Sequence, residues 1–146
     1  MKTTLMVADK LLSCIEFMHY KNFVHRDVKP ANFLMGLGKK LHQIYVIDMA
    51  YSAAYINPST KEHRPNKIDE SHFVGTLKFA SLNVHRGNRN SRRDDLESIG
   101  LMLIYFLKGK LPWNDMPGET LQEKRRNIKR CMEDTSLESL CCALPK

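Results

Sequence analysis

Apolar positions recur at helical spacing in three stretches of the chain. Across Thr3–Tyr20, Leu5, Ala8, Leu12 and Ile15 alternate with Asp9, Lys10, Ser13 and Glu16, which predicts an amphipathic helix buried on that face. Lys21-Asn22 ends it, because asparagine tolerates the left-handed conformation of a helix cap. Across Arg92–Leu107, Leu96, Ile99, Leu103 and Phe106 share a face and the last turn is almost wholly apolar, so a deeply buried helix is expected. Asp94, Asp95 and Glu97 suit its N-terminus electrostatically, Lys108-Gly109-Lys110 closes it, and Pro112 blocks extension. Glu119–Met132 reads as a third helix, strongly basic at Lys124-Arg125-Arg126 and Lys129-Arg130, and Ser136–Ala143 as a short fourth.

Between the first two helices the period changes. Phe33-Leu34-Met35 and Ile44-Tyr45-Val46-Ile47, joined through the turn Gly36–Lys40, predict a β-hairpin with Asp48 at its exit. The preceding cluster His25–Asn32 is polar and contains Pro30, which excludes it from a helix interior. Tyr51–Asn83 has no sustained period and contains Pro58, Pro65 and Gly75. So long an irregular stretch is uncommon in a compact domain and is usually functional or disordered.

Composition narrows the function classes. The chain has 146 residues, 42% apolar and 27% charged, the proportions of one globular domain. Its longest apolar run, Ile99–Leu107, is far short of the ~20 residues that cross a bilayer, so no membrane span is expected. Met1-Lys2-Thr3-Thr4 leads straight into the first helical pattern, unlike a signal peptide. Cys14, Cys131, Cys141 and Cys142 form no C-x-x-C pair, and the histidines form no H-E-x-x-H pattern. Neither a disulfide framework nor a zinc site is indicated, which predicts a reducing compartment: the cytoplasm, with the nucleus as the alternative. The net charge of +7 suggests a polyanionic partner (nucleic acid, anionic lipid, or acidic or phosphorylated protein), against the equally weighted reading of solvated surface charge. The basic run Lys124–Arg130 has no interleaved aromatics to stack bases, so it reads as a solvated helix face and argues against nucleic acid.

The chemistry concentrates in His25-Arg26-Asp27-Val28-Lys29-Pro30-Ala31-Asn32 and in Asp48, sixteen residues after Asn32. Phosphoryl transfer from a nucleotide needs a carboxylate to orient the attacking hydroxyl, oxygen ligands for Mg²⁺, and a cation to offset charge on the transferred group. Asp27, Asn32 with Asp48, and Lys29 supply these types. H-R-D-x-x-x-x-N followed by a hairpin and an Asp resembles the catalytic-loop signature of protein kinases. The run H-R-D-V-K-P-A-N-F-L-M-G-L-G-K-K resembles the casein kinase I family in particular. So do Gly75-Thr76-Leu77-Lys78-Phe79-Ala80-Ser81-Leu82-Asn83, Ser91-Arg92-Arg93-Asp94-Asp95-Leu96-Glu97-Ser98 and Leu111-Pro112-Trp113, and the likeness extends from residue 3 to about residue 142.

That resemblance implies a protein kinase-like fold, α+β overall: a mainly α-helical C-terminal lobe with a small β-hairpin and no N-terminal lobe. Residues 1–146 would form a partial kinase domain, with a catalytic loop at 25–32, a metal-binding Asp-Met-Ala at 48–50, an activation segment at 48–83 and a buried helix at about 92–107. The implied function is transfer of the ATP γ-phosphate to protein Ser or Thr with Mg²⁺, on protein substrates that include acidic ones. Asp27 would be the base, Lys29 would contact the γ-phosphate, Asn32 and Asp48 would ligate Mg²⁺, and Thr76 would bond near Asp27 and Lys29. His25 would pack under Asp48, and Asp94 would accept N–H bonds from the His25-Arg26 turn.

Several positions depart from the family. Met49-Ala50 stands for Phe-Gly; methionine can fill an apolar slot, and Ala50 restricts the backbone where glycine is free. Lys78 replaces an arginine that helps hold a phosphate already on the substrate, Asp69-Glu70-Ser71-His72 lacks the expected basic residue, and Pro117 replaces a lysine. No glycine-rich phosphate loop or its lysine partner precedes Thr3, so weak or absent activity is expected of the isolated chain, together with marginal stability from uncovered apolar surface. The alternative is a non-catalytic, pseudokinase-like protein that binds kinase substrates or regulators.

Overall fold

The computed structural model describes residues 1–142 and 144, leaving Ala143, the last residue of the fourth predicted helix, outside the described residues. Helix α1 (Lys2–Tyr20) leads through a tight turn into β1 (Phe23–Val24). A 3-10 turn at Pro30–Asn32 precedes β2 (Phe33–Met35) and β3 (Ile44–Val46), and β4 (Ala53–Ala54) follows. Then come α2 (Leu82–His85), α3 (Arg92–Lys108), α4 (Leu121–Asp134) and α5 (Leu137–Cys141). The expected hairpin is the antiparallel β2–β3 pair, in register Phe33↔Val46, Leu34↔Tyr45 and Met35↔Ile44. A second pair, β1–β4, is too short to announce itself by alternation; it ties the start of the irregular stretch back beside α1. None of the helices is long and apolar enough to cross a membrane among the described residues.

The predicted helix ends follow from local chemistry. Asn22 closes α1 at φ 67°, its N–H donating to the His19 carbonyl at 2.9 Å. Gly109 closes α3 at φ 78°, a left-handed cap that glycine adopts without steric cost. Ser91 and Asp94 cap its start reciprocally, and Thr120 caps α4 by accepting from the Glu123 N–H.

The buried faces differ from those predicted. On α1 the core residues are Leu11, Ile15 and Met18, while Leu5 and Leu12 lie in solvent at 64% and 45% exposure. On α3, Ile99, Leu101 and Met102 are buried, whereas Leu96 and Phe106 are exposed. Both helices carry apolar residues around more than one face, so spacing alone does not select the stripe that meets the core. Those two faces meet, and Phe79, Leu111, Trp113 and Ile128 complete the cluster. Trp113 donates its indole N–H to the Lys78 carbonyl at 2.9 Å, fixing the 75–83 stretch on the core.

Residues 55–90 are irregular but anchored. The Ile56↔His63 and Ile68↔Asn88 bridges divide the stretch, and Arg125 of α4 grips its end. The Arg125 guanidinium donates to the carbonyls of Glu70 (2.7 Å), Val84 (3.2 Å) and His85 (3.1 Å) and lies 5.1 Å from the Phe73 ring centre. His85 is fully buried, with Nε2 donating to the Leu77 carbonyl at 2.9 Å. Burial, with Arg125 and Lys129 nearby, pushes its imidazole down to about 4 from the usual 6.5. The unfolded chain therefore takes up a proton at a higher pH than the folded one. This contribution to stability is complete above about pH 6.5 and is lost as pH falls toward 4. By the usual conversion it amounts to up to ~3 kcal/mol. Urea unfolding between pH 7 and pH 4 should show a steeper loss of stability in the native chain than in His85→Gln; parallel profiles would contradict the neutral buried imidazole.

Candidate active site

The site is built from the turn that follows β1. Arg26 sits at φ 74°, a conformation unfavourable for a side chain with a Cβ, so something must hold it there. The holder is Asp95, 2% exposed in the first turns of α3. Its carboxylate accepts the His25 N–H at 2.8 Å and the Arg26 N–H at 3.0 Å, and pairs with His19 Nε2 at 2.9 Å. The expectation that Asp94 plays this part is corrected: Asp94 instead accepts from Ser81 (2.7 Å), Asn83 (3.1 Å) and the Ser91 N–H (2.7 Å). Neighbours on a helix do not share a face, so only one of the two can meet the turn. The spacing Ser91-x-x-Asp94 makes Asp94 the capping-box partner of the N-cap Ser91 and leaves Asp95 free to reach across.

The reversal aims Asp27 inward, 3% exposed. One carboxylate oxygen accepts from the Lys29 ammonium at 2.7 Å and the other from the Thr76 hydroxyl at 2.7 Å. Asn32 donates its amide to the Asp27 carbonyl at 2.9 Å, leaving its amide oxygen as the available acceptor. Thus Asp27, Lys29, Asn32 and Thr76 come together around one turn. Gly75 makes the approach of Thr76 possible: it sits at φ 105°, and a Cβ there would stand 2.5 Å from the Arg26 carbonyl oxygen. Neither this close approach nor the His19 contact was recognised from sequence. The glycine beside Thr76 was the available signal for the first; nothing local marks the second.

Asp48 arrives by the hairpin. The ladder continues one step past β3, with the Ile47 N–H donating to the Asn32 carbonyl at 2.9 Å. His25, fully buried and stacked on Phe33, lies within 3.3 Å of the Ile47 carbonyl through Nε2. Asp48 follows at φ 60° with its carboxylate exposed and, among the described residues, in no ion pair. Ala50 has no positive φ, so its Cβ is unstrained in this conformation. Met49 fills no apolar slot: it is exposed at 43%.

The donor set fits a hard divalent cation. An amide oxygen and a carboxylate are magnesium-type ligands, and Mg²⁺ is usually held by one or two carboxylates together with substrate phosphates. Burial pushes the Arg26 guanidinium below its usual range, Asp95 opposes that shift and Arg89 adds to it. Lys78 is withdrawn from the surface chemistry, its ammonium 3.7 Å from the centre of the Tyr105 ring.

The sequence model of the family described as protein kinase domain matches residues 2–140 of the chain.

Replacing Asp95 by alanine removes the acceptor for the buried His25 amide and the part-buried Arg26 amide and should destabilise the fold by about 3 kcal/mol. Hydrogen exchange should accelerate first at His25 and Arg26. Asp48→Asn, at an exposed carboxylate without an ion pair, should change stability by no more than ~0.5 kcal/mol. An Asp95→Ala chain as stable as the native one would refute the bracing role.

Proposed function

The chain belongs to the protein kinase family, and on that footing we propose that it is the large lobe of a serine/threonine kinase of casein kinase I type. The observation that carries this reading is the Asp27 carboxylate, held at both oxygens by Lys29 and Thr76 beside the Asn32 amide. Asp27 is the base that accepts the proton of a substrate Ser or Thr hydroxyl. Thr76 fixes its orientation, and Lys29, partly exposed, is the cation that meets the γ-phosphate. Asn32 through its amide oxygen and Asp48 through its carboxylate are the residues that would hold Mg²⁺. When bound there, the ion would offset the negative charge of the nucleotide phosphates.

The casein kinase I assignment is supported by how its sequence motifs touch one another. Trp113 of Leu111-Pro112-Trp113 bonds the carbonyl of Lys78, and Ser81 of the same stretch bonds Asp94 of the Ser91–Ser98 motif. Acidic substrates are favoured by a cleft of about 720 Å³ beside the turn, lined by Arg26, Arg64, Arg89, Arg93 and His63 and by no carboxylate. Lys78, engaged with Tyr105, is a poor receiver for a phosphate already on the substrate. The 146 residues carry no glycine-rich phosphate loop or partner lysine. Weak or absent transfer by this chain alone follows.

The test is phosphate transfer from Mg-ATP to casein by the chain alone and fused to a small lobe bearing that loop and lysine. Little transfer is expected from the first and clear transfer from the second, with Asp27→Asn lowering the rate by at least ~10²-fold. Transfer that survives Asp27→Asn would remove Asp27 from the chemistry. A well-folded fusion without transfer would favour the non-catalytic interaction reading.

A further inference from the structure

The tip of the β2–β3 hairpin exposes apolar side chains and unpaired cations together. At 86% exposure, Leu37 is the most exposed large apolar side chain among the described residues, and Met35 and Leu41 beside it are exposed as well. Met35 and Leu41 also line an apolar groove of about 550 Å³ with Leu5, Met6 and Val7 of α1 and Ile44 of β3. The apolar surface thus runs from the tip onto α1, and a continuous patch of this kind marks an interaction site. Lys39 and Lys40 sit within it, exposed and, among the described residues, in no ion pair. From Phe33 to Ile47 the chain carries no carboxylate. The one carboxylate lining the groove, Asp9, is already paired with Lys10 at 3.0 Å.

The backbone of the tip is closed on itself. The Gly36 N–H donates to the Gln43 carbonyl at 3.0 Å, the Lys40 N–H to the Leu37 carbonyl at 3.1 Å, and the Gln43 N–H to the Lys40 carbonyl at 2.8 Å. Glycine at position 36 permits this closure, because a Cβ there would collide with the Lys40 carbonyl oxygen. Amides and carbonyls satisfied in this way lower the cost of carrying the loop into an apolar medium. We propose that the tip is a membrane-docking element whose ligand is the surface of an anionic phospholipid bilayer. Leu37 and Leu41 enter the boundary between headgroups and acyl chains, and Lys39 and Lys40 meet the anionic headgroups. The charge pattern selects this occupant. A purely apolar partner would leave both lysines unanswered, whereas an anionic bilayer answers cations and apolar side chains side by side. The tip contains none of Asp27, Lys29, Asn32 or Thr76, so this docking stands apart from the kinase reading.

The test is flotation of the full chain with vesicles of equal parts phosphatidylcholine and phosphatidylserine. The chain should rise with these vesicles and stay behind with phosphatidylcholine alone, and the association should weaken as salt is raised. Lys39→Gln/Lys40→Gln should lower the vesicle partition coefficient by roughly 30-fold and Leu37→Gln by about 10-fold. Both variants alter exposed positions and should leave the fold intact. Arg126→Gln/Arg130→Gln, on the basic face of α4, should leave the coefficient unchanged. In Leu37→Trp the indole introduced at the tip should be quenched by lipids brominated along the acyl chain, while Trp113 is buried and out of reach. Absence of flotation, equal flotation with neutral vesicles, a loss confined to the α4 variant, or an unquenched indole would each overturn the proposal. So would a shift of the amides of residues 35–43 by polyglutamate without flotation, which would make an acidic protein segment the occupant.

Discussion

A single buried carboxylate fixes the geometry on which the site depends. Asp95 is placed by the first turns of α3 and reaches the two amides that follow β1. Without that acceptor, the left-handed Arg26 would relax and Asp27 would no longer face Lys29 and Thr76. The desolvation cost of burying Asp95 is offset by two backbone donors and by His19, the arrangement in which a buried charge becomes tolerable. Through these contacts α1, the turn and α3 become one unit: α1 supplies the histidine, the turn supplies the amides, and α3 supplies the anion.

The second constraint is that an irregular chain must lie close to that turn. Gly75 is the point of nearest approach, because its missing Cβ lets Thr76 come within bonding distance of Asp27. Trp113 holds the following residues through the Lys78 carbonyl, and Arg125 holds the preceding ones through the Glu70 carbonyl. Neither anchor touches Asp27, yet both determine where Thr76 sits. The apolar residues Leu5, Met6, Leu34 and Met35 of α1 and the hairpin are exposed and stand outside the buried core cluster.

Local pattern made the site residues more legible than the packing. The 25–32 cluster and Asp48 announce themselves because chemistry demands particular side chains at particular separations, and the hairpin that joins them is a local structure. The β2–β3 hairpin, the left-handed Asn22 cap and the stop at Gly109 are readable for the same reason. The buried stripe of α1 was not: Leu12 and Leu11 are adjacent, and only the partner helix decides which of them is core. The choice between Asp94 and Asp95 failed at long range too, since each carboxylate suits a helix N-terminus and their different partners lie far away in sequence. The β1–β4 pair, of two residues each, carries no periodicity at all.

The central claim is that Asp27, Asn32 and Asp48 face one magnesium-nucleotide. Paramagnetic broadening by Mn²⁺ in the presence of ATP tests it most directly, because the effect falls off steeply with distance from the ion. The account predicts selective loss of the amide signals of Asp27, Asn32 and Asp48, reversed by excess Mg²⁺ and absent in Asp48→Ala. Broadening centred elsewhere, or unchanged by Asp48→Ala, would contradict it.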